Sequence, residues 1–371
     1  MAGKQEQAEN ATIKAKVSND IVEMYNRNIP LFTKESMLQI AMQLEKYRDY
    51  ELECIQLHLT NMKGEDVEIT LDPNKPPVWV DRRCNHGYKR VGPYIYYRSI
   101  QNILAQEDMI APDPQKACLG IGVTWPGPCP AVHRYKMPSL DATLSAVFST
   151  AELGQVFNSV RQQWETSEQY NQLKKLLKSK RTQLSSVKKV VAFALGTLTN
   201  GSRISNPSMV QHALVLSLQQ MLSKTKGGDN RISGIFQAIK GSLSKSKAAG
   251  PPIPCFAQDP AYLPRDKTVL SEAGITVIED PWAFLEVDHT SLVVSVDPNI
   301  PVRQIIADIA RPAAIIQHRM MEMNGPKSLA CADHSSTRVQ RMLEDEYDEE
   351  HMAYHESLHD VVMYIRKPIR E

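Results

Sequence analysis

Three hydroxyls and a carboxamide lie in one short loop: Gly196-Thr-Leu-Thr-Asn-Gly-Ser202 carries Thr197, Thr199, Asn200 and Ser202 directly after the apolar run Val190–Leu195. A hydroxyl can carry an acyl group when a nearby base takes its proton and donors hold the developing oxyanion. Carboxylates close later apolar runs: Asp259 in Gln258-Asp-Pro260 and Glu279 in Glu279-Asp-Pro281, each able to hold an ammonium or relay its proton. Asp297 and Asn299 close a fourth run. Further on, Asp345-Glu-Tyr-Asp-Glu349 would set Asp345 and Glu349 on successive turns of a helix, where paired carboxylates can grip a guanidinium. The alternative for the loop is ordinary turn-making and helix-capping, and for the acidic run a solvated helix face. The loop lacks the lysine of a phosphate-binding P-loop and the spacing of a G-x-G-x-x-G fingerprint, so ATP hydrolysis and nicotinamide-dependent hydride transfer find no support in it.

These residues need a scaffold, and the apolar runs supply one. Val190–Leu195, Ile253–Ala257, Ile275–Ile278, Leu292–Val296 and Ala313–Ile316 are short, rich in β-branched residues and separated by helix-compatible segments. That pattern predicts parallel strands buried on both faces in a doubly wound α/β unit. Ligands of such sheets sit beyond the carboxyl ends of the strands, where the polar turns above fall. Before this unit, Thr33–Tyr50 predicts an amphipathic helix with Thr33 as N-cap, and Ile55–Leu59 with Val67–Leu71 a β-hairpin about Asn61–Gly64. From Asp72 to Pro138 frequent Pro and Gly predict loops. Ala151–Leu184 predicts one long helix or two in succession. The expected division is 1–150 for the helical and hairpin region and 151–371 for the α/β domain with its connecting helix.

Other features pull elsewhere. Lys174, Lys175, Lys178, Lys180 and Arg181 form a basic cluster on the connecting helix, suited to a phosphate backbone or simply to water. His355-Glu-Ser-Leu-His359 matches H-E-x-x-H, which binds zinc when a helix carries it. The helical signal there is weak and few residues follow, so a surface turn is the favoured reading and no metal is expected. Cys129-Pro130 with His133 matches the dipeptide of haem-regulatory motifs, but the dipeptide alone is a weak signal and a tight proline-rich loop explains it without a ligand.

Phe193-Ala-Leu-Gly196, Gln211-His212-Ala-Leu, Gln258-Asp-Pro260 and Leu292-Val-Val-Ser-Val-Asp-Pro-Asn299 with Pro301-Val-Arg-Gln-Ile305 together resemble the SRR1-like domain in its fungal form, over about the last half of the chain. The resemblance implies a Rossmann-like, largely parallel sheet with helices on both faces. Members with a defined chemistry are the fungal arginine-containing cyclodipeptide synthases, which join two aminoacyl groups from charged tRNAs into a diketopiperazine. A DDxxE motif is associated with their catalysis, and here Asp345-Glu346-Tyr-Asp-Glu349 matches it with Glu346 in place of the second Asp. The expected catalytic set is Asp345, Glu346, Glu349, Glu279, Thr197 and Ser202. Gly196, Thr199, Asn200, Gln211, His212, Asp259, Asp297 and Asn299 are the expected substrate-binding set. Arginyl-tRNA and a second aminoacyl-tRNA would be the partners, with Lys174, Lys175, Lys178, Lys180 and Arg181 against the tRNA. No cofactor is implied, because the aminoacyl ester is already activated. The alternative is a non-enzymatic SRR1-like regulatory protein of haem or circadian type.

Composition bounds both readings. A chain of 371 residues with 42% hydrophobic and 23% charged residues can bury a substantial core. Lys and Arg total 43 against 42 for Asp and Glu, so net charge gives no indication of DNA or other nucleic acid. Six cysteines without a C-x-x-C pair, and no long apolar run, predict a reduced cytoplasmic protein with no membrane partner.

Overall fold

The computed structural model describes residues 16–47, 54–72, 93–105, 114–124, 148–200, 203–226, 252–319 and 332–368. Its centre is a single sheet of β1 (Lys189–Phe193), β2 (Cys255–Gln258), β3 (Thr276–Val277), β4 (Ser291–Ser295), β5 (Ala314–His318), β6 (Tyr347–His351) and β7 (Val361–Arg366). Spatial order is β6-β7-β5-β4-β1-β2-β3. β5, β4, β1, β2 and β3 are mutually parallel, while β7 runs antiparallel to both β5 and β6. The chain moves from β1 outward through β2 to β3, then returns to the other side of β1 as β4. The reversal puts the switch point between the carboxyl ends of β1 and β4, where flanking loops diverge and leave a crevice.

Period-two alternation sorts the strand residues onto two cores. Val190, Ala192, Leu292, Val294, Ala314 and Ile316 face α1 (Thr150–Thr166), α2 (Glu168–Ser179), α3 (Asn206–Lys226) and α4 (Pro264–Ala273). Val191, Phe193, Val293 and Ile315 face α5 (Trp282–Glu286), α6 (Val302–Ile309) and α7 (Thr337–Glu346). Both faces of the central strands are thus covered, which is why Ser291–Ser295 is buried at every position and shows no polar alternation. Ser149 and Glu152 form a capping box at the start of α1, and Ser167 both ends α1 and caps α2, so the long helical stretch is two helices. Gly274 closes α4 in the left-handed conformation at φ +102°.

The N-terminal part lies against the α5/α6 face. Thr33 caps the helix Lys34–Glu45 as expected, and strands Ile55–Thr60 and Asp66–Leu71 form the expected hairpin. Loops do not fill the whole of the Asp72–Pro138 stretch: Tyr94–Tyr97 pairs antiparallel with Ile121–Thr124. Alternating Tyr and Ile there outweigh the neighbouring prolines. Tyr97 meets Phe284 edge-on at 5.4 Å, and Phe284 stacks on Phe193 at 4.3 Å, so an aromatic ladder runs from the N-terminal part into the sheet. Arg338 bonds the carbonyls of Tyr25 and Ile29 and pairs with Asp308, whose other oxygen accepts the amides of Leu31 and Phe32.

Candidate active site at the switch point

The β1 loop closes on itself. Ala194 and Gly196 adopt φ +53° and +77°, which turns the chain sharply off the strand. A side chain at 196 would meet the Ser208 hydroxyl at 2.5 Å, so glycine is required both by φ and by the approach of α3. The Gly196 amide donates to Asp259 Oδ2 at 2.7 Å, and Asp259 Oδ1 accepts the Ala261 amide at 2.8 Å. Asp259 is therefore a staple between the β1 and β2 loops. The Thr197 hydroxyl accepts the Thr199 amide and bonds the Thr199 carbonyl, while Thr199 Oγ1 accepts Arg265 Nη2 at 3.0 Å. His212 is held by the Ser208 carbonyl at 2.6 Å and by Tyr262 at 2.8 Å. Nδ1, facing a carbonyl, carries the hydrogen, and Nε2 accepts from the phenol. Burial lowers its pKa to about 4, so it stays neutral. Gln211 is buried with an amide oxygen that no donor among the described residues reaches. The backbone of Asn200 pairs with Arg203, and Ser202 lies outside the described residues. Of the two hydroxyls expected in the catalytic set, the described one, Thr197, is engaged in turn bonds, and Thr199, expected to bind substrate, is taken by Arg265.

Asp266 sits behind this loop, fully buried, accepting the Leu263 amide at 2.9 Å. Burial pushes its carboxyl up to about 6, against the pull of that amide and of Arg265. For an acid raised in the folded state, the native form still holds a proton that the unfolded form has shed. Stability from this group therefore falls as pH rises between about 4 and about 6. Asp266→Asn keeps the acceptor and has no such penalty. Relative to the parent it should gain about 2–3 kcal/mol between pH 4 and pH 6.5, measured by urea unfolding at several pH values. Parallel pH profiles for the two proteins would show that the group is not raised.

On the other side of the crevice the carboxyl ends of β4 and β5 gather polar groups from four segments. Asp297 and Asn299 follow β4 and are exposed, so they border the crevice from the side expected. Arg303, in the first turn of α6, sends Nη2 to the His318 carbonyl at 3.0 Å and lies 3.3 Å from Asp333, which also accepts the Arg303 amide at 2.9 Å. Burial raises Asp333 to about 6 despite Arg303. His318, the last residue of β5, sets Nε2 3.0 Å from the Leu358 carbonyl. That contact makes Nε2 the donor and leaves the lone pair on Nδ1. Burial lowers the His318 pKa from 6.5, while the Leu358 carbonyl and Asp297 work against the shift. The result is a half-buried imidazole, neutral at pH 7, with a basic nitrogen at the end of a central strand. His359, at φ +55°, stands 6.1 Å away ring to ring and faces Tyr354.

The remaining expected residues fall elsewhere. Glu279 is exposed beyond the outermost strand β3, paired with Lys267 at 2.5 Å. The acidic run is not one helical face: α7 ends at Glu346 and residues 347–351 are the edge strand β6. Tyr347 pairs with Arg366, whose amide bonds Ala313, so Asp345 and Glu346 lie at the amino edge of the parallel strands, opposite the crevice. There Glu346 holds Arg311 at 2.8 Å, while Glu349 takes Tyr364 at 2.9 Å and Arg319 at 3.1 Å. On α2, Lys174, Lys175 and Lys178 are exposed; just past its end Arg181 is exposed and Lys180 pairs with Glu350 at 2.5 Å. Gln169, in the first turn of α2, reaches the Ala353 carbonyl just beyond β6. His355–His359 is a turn closed by a bridge between the two histidines, not a helix, so the imidazoles do not share a helical face. Cys129 and Pro130 lie outside the described residues. Among the described residues no three His, Cys, Asp or Glu side chains are grouped to hold a metal, and no helix is long and apolar enough to cross a membrane.

Sequence reasoning passed over His318, Arg303, Asp333, Ser295 and Gln317. Gln317-His318 ends a predicted strand just as Gln258-Asp259 does, and the same strand-end argument could have found it. The family model described as the SRR1 domain matches residues 173–364, more than half of the chain. No curated protein matches it.

Proposed function

The chain belongs to the SRR1 family, and from that premise we propose that it is a tRNA-dependent cyclodipeptide synthase that condenses arginyl-tRNA with a second aminoacyl-tRNA at the β1/β4 crevice. The observation that carries the reading is His318, a neutral imidazole whose Nδ1 lone pair is free because Nε2 is committed to Leu358. Aminolysis of an ester needs a neutral amine and a base to take the proton released as the C–N bond forms. His318 accepts that proton and returns it to the ribose oxygen as the C–O bond to the tRNA breaks. A second, intramolecular aminolysis closes the ring and releases the other tRNA by the same proton transfers. With the Thr197 hydroxyl engaged within its own loop and Thr199 Oγ1 accepting from Arg265 of α4, the proposed transfer is direct from ester to amine, with no aminoacyl-enzyme on those residues. Asp297, exposed at the crevice, is the carboxylate for the α-ammonium or the guanidinium. The exposed lysines of α2 are the contact for a more distant part of the tRNA.

Purified protein given charged tRNA, with neither ATP nor added metal, should release an arginine-containing diketopiperazine detectable by mass spectrometry. Prior ribonuclease treatment should stop it. A product-free reaction with intact charged tRNA rejects the synthase. A second reading, a non-enzymatic regulatory SRR1-like protein, is favoured by the internal bonding of the β1 loop, which offers no described free nucleophile; it predicts ligand binding without turnover.

A further inference from the structure

Ser295 and Gln317 occupy paired positions at the ends of the adjacent parallel strands β4 and β5, so their side chains emerge side by side on the α6/α7 face. Each residue is only 3% exposed, and among the described residues neither the Ser295 hydroxyl nor the Gln317 amide nitrogen has a hydrogen-bond partner. Below them on the same strands, Val293 and Ile315 fill the hydrophobic layer. Ser295, Gln317 and Arg303 border one small cavity whose other walls are apolar, Val302, Ile306, Val339, Met342 and Leu343 among them, and Arg303 Nε faces Asp333 at 3.3 Å in an ion pair without hydrogen-bond geometry. Buried polar groups are nearly always bonded, and replacing such a pair with apolar residues of similar shape tends to be neutral or stabilising. Two orphaned groups beside one cavity, with the Arg303 guanidinium next to them at the carboxyl edge where the crevice opens, are therefore a built feature in search of its partner. Their chemistry specifies that partner. An amide N–H, a guanidinium N–H and a hydroxyl offer donors, so they fit an oxygen acceptor, and the cavity is about the size for one such atom.

We propose that the Ser295–Gln317–Arg303 cluster is the subsite that receives the carbonyl or carboxylate oxygen of the ligand bound in the crevice. It rests on the reading of the crevice as an acyl-transfer site and extends it. The same guanidinium that bonds the His318 carbonyl would then face the ligand's acyl oxygen as negative charge develops on it.

The test uses the full chain with four probes: L-arginine methyl ester, agmatine, which keeps the guanidinium and lacks the acyl carbon, and formate and acetate. Thermal midpoint and calorimetric affinity are measured for the parent and for Ser295→Ala/Gln317→Leu. The parent should bind the ester at least tenfold more tightly than agmatine. The double variant should have an equal or higher midpoint without probe and bind the ester at least tenfold more weakly. Should that variant fail to fold, Gln317→Glu, an isostere that turns the donor into an acceptor, should lose ester, formate and acetate alike. Equal affinity for ester and agmatine, or unchanged ester binding in the variants, overturns the subsite and leaves the cavity to a water molecule. A parent that responds to no probe overturns it as well. Formate and acetate responses lost in the variants, with no response to the ester, keep the subsite and reject the arginyl reading.

Discussion

Replacing Arg338 with methionine is expected to destabilise the protein by about 3–5 kcal/mol, because the change leaves Asp308 buried and charged without its partner. The guanidinium holds the Tyr25 and Ile29 carbonyls, lies 3.9 Å over the Tyr25 ring and pairs with a carboxylate that itself anchors Leu31 and Phe32. One substitution thus cuts the link between the N-terminal part and α6. Adding Asp308→Asn should recover part of the loss, since the uncharged amide is cheaper to bury and its one oxygen can still accept both the Leu31 and Phe32 amides. Burial already raises the Asp308 carboxyl, and without Arg338 the rise should be larger. Protonation then relieves the penalty, so the deficit of the single variant should shrink as pH falls. Urea unfolding across pH reads both effects. A loss under 1 kcal/mol would mean that the N-terminal part is held by its apolar contacts alone.

The second large effect concerns chemistry. His318→Gln keeps a donor for the Leu358 carbonyl and removes the base, so turnover should fall about 10²–10⁴-fold while the folded state survives. In the parent, rate should rise with pH through a pKa below 6.5 and level off near neutrality, because the neutral imidazole is the active form and burial lowers its pKa. The variant should lack that limb. A purely structural role would instead reduce the midpoint and leave the shape of the profile intact.

Much of the scaffold was legible in the chain because buried parallel strands read as continuous apolar runs, and Val190–Leu195 and Leu292–Val296 overlap β1 and β4 closely. The polar turns after the runs fall at the carboxyl edge of the sheet. The acidic run misled for a physical reason. β6 is an edge strand with one buried anchor, Tyr347, and charged residues toward solvent, so it lacks the apolar alternation of a half-buried strand and reads as a polar helix face. Charges on an edge strand guard it against pairing with other chains, a role that sequence spacing does not separate from catalysis. The Ser295–Gln317 pairing was hidden for a different reason: register between β4 and β5 is a long-range property, and it alone makes neighbours of residues from separate segments. Similarly, Asp333 reaches Arg303 across 30 residues, with nothing local to signal the contact. The loop hydroxyls were found correctly as polar residues at the switch point, but their bonds to Arg265 and to their own backbone depend on the packing of α4 beneath them.

Diketopiperazine yield by mass spectrometry from arginyl-tRNA and a pool of other charged tRNAs, compared among three purified proteins, tests the central claim most directly. These are the parent, His318→Gln and Asp345→Asn/Glu346→Gln. Product from the parent and from the acidic double variant, with less than a hundredth of it from His318→Gln, is the predicted result, since the acidic pair lies at the far edge of the sheet and His318 at the crevice. Full yield from a folded His318→Gln together with none from the acidic variant would contradict the account and return the reacting centre to the acidic run.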